Sequence, residues 1–224
     1  MKSLFSIIAD YRRVTLFKSH KTWGIVEPRN TNLMAYGICP QSGEWERNER
    51  LQATVSSDYD VYFFPIDHNE CYEATVQKGE LRCDGLIYSE DKRVVVFIEL
   101  KDRVVGVGDL DSIAKGCIEV NSSSTINQKN MWLSKATLQL RDTILRFNIT
   151  DADVCQMFPA RRCAYIANRK IGYGVNFMAE STKEEFKKQT GFDLRINTEI
   201  NIPAIPPPIR LEHLSPYDIK EMTS

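Results

Sequence analysis

An α/β domain with a mixed central β-sheet flanked by helices is what this sequence predicts, and three stretches predict it. Leu81–Tyr88 and Val94–Lys101 are apolar runs around a charged break, Ser89–Arg93, which reads as an antiparallel hairpin. Trp132–Phe147 carries Leu133, Ala136, Thr137, Leu140, Ile144 and Phe147 at helical spacing on one face, and Lys135, Gln139, Asp142 and Arg146 on the other. Cys163–Ala167 then reads as a buried strand, and a strand–helix–strand unit of this length implies a right-handed crossover to a parallel neighbour.

The remaining elements follow in chain order. Val14–Phe17 and Trp23–Val26 read as short strands of an N-terminal hairpin or extension covering about residues 1–40, and Pro28–Asn32 reads as a turn. Ser42 can cap a short charged helix reaching about Ala53. Asp60–Ile66 reads as a strand with Pro65 near its end. Gly106-Val107-Gly108 lacks the strand-then-helix context of a phosphate loop. Asn121–Gln128 is a polar, loop-like stretch flanked by Lys115, Lys129 and Lys135, placed to close over a nucleic-acid strand or simply to lie on the surface. Ser181–Glu185 opens a last helix that ends near Gly191. Ile202–Ile209 is polyproline-like. The expected organisation is one domain over residues 1–200, including the N-terminal extension, and a proline-rich tail over 201–224.

Composition narrows the function classes. The chain has 224 residues and a net charge of −1, so it is no polycation. Residues 81–170 nevertheless carry 14 Lys and Arg against 11 Asp and Glu, a mildly basic stretch compatible with nucleic acid. Arg161, Arg162 and Arg169 sit at the two ends of the 163–167 strand, where they can contact phosphates. The six cysteines form no C-x-x-C, and His68-x-x-Cys71 lacks the partners of a zinc site. Dispersed thiols suit a reducing cytosol. The opening apolar run is too short for a signal peptide, and no window approaches the ~18–20 apolar residues of a membrane span. A cytoplasmic protein without a membrane partner is therefore expected.

The chemistry gathers on the hairpin. Side chains alternate faces along a strand, so Glu99 and Lys101 share a face while Ile98 and Leu100 take the other. A two-residue loop at Glu90-Asp91 sets Asp84 against Phe97, and a loop at Asp91-Lys92 sets it against Glu99. Either register brings Asp84 to the Glu99–Lys101 face; a slip by one residue would remove it. Two carboxylates beside a lysine suit a hard cation such as Mg²⁺, with Mn²⁺ as a substitute. Lys101 can then orient a water or stabilise developing charge. The plain alternative is an edge ion pair that contributes little to stability.

Asp84, fourteen residues, Glu99, one residue and Lys101 together resemble the PD-(D/E)XK nuclease superfamily and its restriction-endonuclease-like fold. Cys83 stands where that motif's proline would be. A looser match in element order reaches from about Ser42 to Thr190. The resemblance implies Asp84, Glu99 and Lys101 as catalytic residues, with Asp84, Glu99 and the Leu100 carbonyl as metal ligands. It implies an auxiliary Glu from the first helix, for which Glu46 or Glu49 stands here, and a polar residue of the long helix, for which Gln139 stands, with Lys135 nearby. The implied activity is Mg²⁺-dependent hydrolysis of phosphodiester bonds in DNA, as in restriction or phage defence. Such enzymes often act as homodimers or with a partner subunit. A non-catalytic binding module of the same fold and a subunit of a larger nuclease complex are the alternatives.

Overall fold

A computed structural model of the chain describes residues 17–28, 33–40, 51–73, 80–101, 131–150, 154–168 and 180–204. Eight strands and four helices are formed there: β1 (Phe17–Val26), β2 (Tyr36–Ile38), β3 (Leu51–Pro65), α1 (Glu70–Glu73), β4 (Gly85–Ser89), β5 (Val94–Lys101), α2 (Met131–Thr150), α3 (Val154–Met157), β6 (Arg161–Asn168), α4 (Glu180–Thr190), β7 (Asp193–Ile196) and β8 (Glu199–Ile202). All eight strands join one sheet in the order β2-β1-β3-β4-β5-β6-β7, with β8 added alongside β3. The β1 to β5 pairings are antiparallel, whereas β5–β6, β6–β7 and β3–β8 are parallel. The sheet is therefore mixed, and the parallel β5–β6 pair is joined through α2.

The hydrophobic pattern explains the layers. Each face of β5 is buried, as expected for a central strand. Val95 and Phe97 point to the helices, where Leu133, Ala136, Leu140, Ile144 and Phe147 of α2 meet them together with Phe186 and Phe192. The Phe97 ring lies 5.2 Å from Phe147 and 5.4 Å from Phe192, aromatic contacts that add to simple burial. Val94, Val96, Ile98 and Leu100 point the other way and pack with Trp23, Ile25, Ala53, Val55, Ile200 and Ile202. The first half of β3, with β1 and β8, thus curls over the back of the central strands and serves as its second layer.

Several elements differ from the sequence expectation. Of the expected Val14–Phe17 strand only Phe17 lies within the described residues; it and the expected Trp23–Val26 strand belong to one strand, β1, which runs on through Lys18–Thr22 with a register shift between Ser19 and Lys21, where Lys21 has φ 67°. The expected extension therefore supplies β1 and β2 to the main sheet. The helix expected to reach Ala53 is corrected at its end: Leu51, Gln52 and Ala53 belong to β3, whose burial alternates from there into the 60–66 segment. Residues 41–50, and with them Glu46 and Glu49, lie outside the described residues. So do 29–32, 102–130 and the proline-rich segment from 205. Strands β7 and β8 were not foreseen, and β8 takes in Asn201 and Ile202, which the sequence assigns to the tail. Helix α4 ends at Thr190, and Gly191 follows with φ 78°, as a glycine stop requires. Among the described residues no helix is long and apolar enough to cross a membrane.

Candidate active site

The turn of the hairpin sets the register. Lys92 donates its N–H to the Ser89 carbonyl at 3.1 Å, with Lys92 itself at φ 58°. The Ser89 hydroxyl donates to Asp91 Oδ1 at 2.6 Å and accepts the N–H groups of Arg93 and Val94, each at 3.0 Å. Gly85 is thereby paired with Ile98 and Leu86 with Phe97. Continued one step, this register sets Asp84 opposite Glu99, the arrangement expected from a turn centred on Asp91-Lys92.

Asp84 sits just outside β4 and is fixed on three sides. Its carbonyl accepts the N–H of Ile66 at 2.9 Å and of Asp67 at 3.4 Å, which binds it to the end of β3. Its Oδ2 accepts the Leu100 N–H at 2.5 Å, which lays the carboxylate across the end of β5. The next residue must be Gly85: a Cβ there would stand 2.7 Å from the Phe63 ring and 3.0 Å from the Phe64 carbonyl.

Glu99 and Lys101 complete the arrangement. Glu99 is 0% exposed, and its Oε1 is paired with the Lys101 ammonium. Its Oε2 is buried without a hydrogen-bond partner. Burial, then the neighbouring Asp84, raises the Glu99 pKa well above the carboxylate range. Burial also pushes Asp84 up to about 7, although Lys101 and the Leu100 N–H pull against it. Burial lowers the Lys101 pKa, but Glu99 and Asp84 outweigh it and the net shift is upward, so the amine stays an ammonium. Burial and the same two acids push the Cys83 thiol up, which leaves it an inert apolar residue.

Helix α2 holds the approach to Asp84. Gln139 Nε2 donates to the Arg82 carbonyl at 2.8 Å. The Thr143 hydroxyl accepts the Cys83 N–H at 2.8 Å and donates to the Gln139 carbonyl at 2.7 Å. Gln139 therefore acts on the segment leading to Asp84, while its Oε1 is buried without a partner. Replacing Thr143 by Val keeps the shape and strands the buried Cys83 N–H, at a cost of about 1–3 kcal/mol. Thermal melts are expected to show Thr143→Val below wild type by roughly 2–4 °C per kcal/mol, with Thr143→Ser close to wild type; an unchanged Thr143→Val midpoint would contradict this role.

Four further groups border the site. Asn168, 1% exposed, is the β6 partner of Lys101 and so shares its face. Glu27, at the end of β1, is close enough to raise the pKa of Asp84 and Lys101, and Asp67 raises those of Asp84 and Glu99. Thr143 was hidden in the apolar stripe of the helix. Of these only Asn168 left a sequence signal, as a polar residue closing an apolar run; Glu27 and Asp67 arrive through pairings distant in sequence.

The expected phosphate contacts are scattered. Lys135 is exposed, one turn before Gln139 on α2. Arg161 pairs with Val94, at the other end of β5 from Lys101, roughly 23 Å away at ~3.3 Å per strand residue. Its guanidinium donates to the Asn201 carbonyl at 2.9 Å, and that of Arg162 to the Cys155 carbonyl at 2.8 Å. These two arginines are thus not brought to the carboxylates, and Arg169 lies outside the described residues. A groove of about 580 Å³ runs along α4 and β7, and its Lys183 and Lys187 are paired with Glu180 and Asp193.

A hard divalent cation fits the donors present. Among the described residues no three His, Cys, Asp or Glu side chains are grouped to hold a metal unaided. Asp84 and Glu99 supply two carboxylates, which is the usual protein share for hydrated Mg²⁺. The partnerless Glu99 Oε2 beside a second acid is the feature a cation would satisfy. No protein-family model matches this chain, and neither does any curated protein or solved structure.

Proposed function

We propose that this chain is a Mg²⁺-dependent nuclease of restriction-endonuclease-like type that hydrolyses phosphodiester bonds, with DNA as the expected substrate. The observation that carries the reading is the buried, partnerless oxygen of Glu99, set opposite Asp84 and beside the Lys101 ammonium at the end of β5. An acid pair raised this far from ordinary pKa values is costly to keep, and perturbed groups of this kind cluster at functional sites.

In this reading Asp84 and Glu99 hold the ion, and the Leu100 carbonyl is the expected third protein ligand. When bound, Mg²⁺ would polarise a phosphoryl oxygen and lower the pKa of a water. Lys101, held on Glu99, orients the attacking water and offsets the charge that develops on the phosphorane oxygens. Asp84 is kept in place by the Leu100 N–H, and the Arg82-Cys83 segment before it by Gln139 and Thr143. Burial of Glu99 and Lys101 makes each of these charges act more strongly than it would in water.

The test is incubation of the protein with linear, circular and single-stranded DNA, with and without Mg²⁺ or Mn²⁺. Cleavage that requires the metal is expected. Salt-dependent retention of DNA with no product in either metal would replace the enzyme with a binding module.

A further inference from the structure

Beside the carboxylates, at the same end of the sheet, lies a second charged cluster that the proposed chemistry leaves unused. Past the end of β3, Asp67 Oδ1 accepts the Arg82 Nε–H at 2.5 Å, and Asp67 Oδ2 lies 3.3 Å from His68 Nε2. The His68 backbone N–H also donates to Asp67 Oδ1, at 3.1 Å. One carboxylate thus fixes a guanidinium and an imidazole together. His68 holds φ 59°, the left-handed region that favours glycine, and unusual backbone of this kind is concentrated at working sites.

Position ties the cluster to the carboxylate pair. Arg82 precedes Asp84 by two residues, and its carbonyl is the one that Gln139 holds. Asp67 donates its own N–H to the Asp84 carbonyl. The side chains of Arg82, Asp67 and His68 are 23, 29 and 32% exposed, whereas that of Glu99 is 1% exposed. The trio therefore stands at the rim, where a polyanion approaching the buried acids would first meet the protein. A guanidinium oriented in advance loses little freedom when it binds a phosphate.

We propose that Arg82 and His68, both held on Asp67, grip a backbone phosphate of the nucleic-acid strand next to the one being cut. This rests on the nuclease reading above and adds a substrate contact to it. A purely structural strut between the ends of β3 and β4 would affect melting and leave substrate affinity alone.

The experiment uses Arg82→Gln, His68→Gln and the double variant in the full chain. Cleavage of a fluorescein-labelled oligonucleotide gives kcat and KM, its anisotropy across a salt series gives the binding slope, and calorimetry with Mn²⁺ reports the metal site. Each single change is expected to raise KM about tenfold with a much smaller change in kcat, and Arg82→Gln to lower the log–log salt slope by about one. Mn²⁺ binding should stay as in wild type. His68→Gln keeps the Arg82–Asp67 pair, so it carries the test even where Arg82→Gln melts early. A double variant with wild-type KM and salt slope overturns the phosphate contact while the nuclease reading stands. A wild-type chain that neither cleaves nor retains the oligonucleotide overturns both.

Discussion

Glu99→Gln is expected to cut metal-stimulated cleavage severely and to leave the chain at least as stable as wild type. The amide keeps an oxygen for the Lys101 ammonium and puts an NH₂ donor where the partnerless Oε2 now faces a second acid. It also removes a carboxylate whose burial alone costs several kcal/mol in its ionised form, an effect of the order known for buried ions. What it loses is the negative charge that would hold the cation. A drop in rate of about a hundredfold to a thousandfold or more is expected, as for other groups that stabilise developing charge. Lys101→Ala should lose as much activity, but it leaves Glu99 buried without its ion partner and should melt lower than Glu99→Gln. Cleavage rates and melting curves for the two variants, taken together, separate a working site from an ion pair that only closes the end of a strand. Full cleavage by Glu99→Gln would sink the catalytic assignment.

Stability without metal should fall as pH rises through about 7. Asp84 lies at about 7 in the folded chain and Glu99 is raised as well, against ordinary values near 4 in the unfolded chain. The folded state therefore binds protons more tightly. That contribution is complete below the unfolded values and is lost as pH climbs through the folded ones. A bound cation reverses the trend, because its ligands must be deprotonated. Stabilisation by Mg²⁺ should grow with pH over the same range. At a hundred times its dissociation constant the ion adds about 2.7 kcal/mol, worth roughly 5–10 °C for a chain of this size. Melting curves across pH, with Mg²⁺ and with chelator, should diverge above about pH 7. Parallel curves would show that no ion joins the two acids.

The heart of this arrangement is legible in the sequence because it depends only on local rules. Period-two alternation puts Glu99 and Lys101 on one face, and a charged break between two apolar runs gives the hairpin. The choice between its two registers depends on how Ser89, Asp91 and Lys92 bond within the turn, which spacing alone does not decide. The long helix is equally plain, since its apolar stripe is deep enough to bury four large side chains and an alanine. The first half of β3 is not legible, because Leu51–Asp60 mixes polar and apolar residues and owes its strand form to β1 on one edge and β8 on the other. Strands β7 and β8 are four residues each and carry charged side chains, so they exist only through their neighbours. Thr143, Glu27 and Asp67 reach the site through tertiary contacts, which no window of sequence contains.

Calorimetric titration of Mn²⁺ into the metal-free chain at pH 8 is the most direct measurement. Wild type should bind with proton release, since Asp84 lies at about 7 and burial holds Glu99 above its ordinary value, and Asp84→Asn and Glu99→Gln should each lose that binding while remaining folded. Equal binding by all three proteins, or none by wild type, would contradict a cation held between residues 84 and 99.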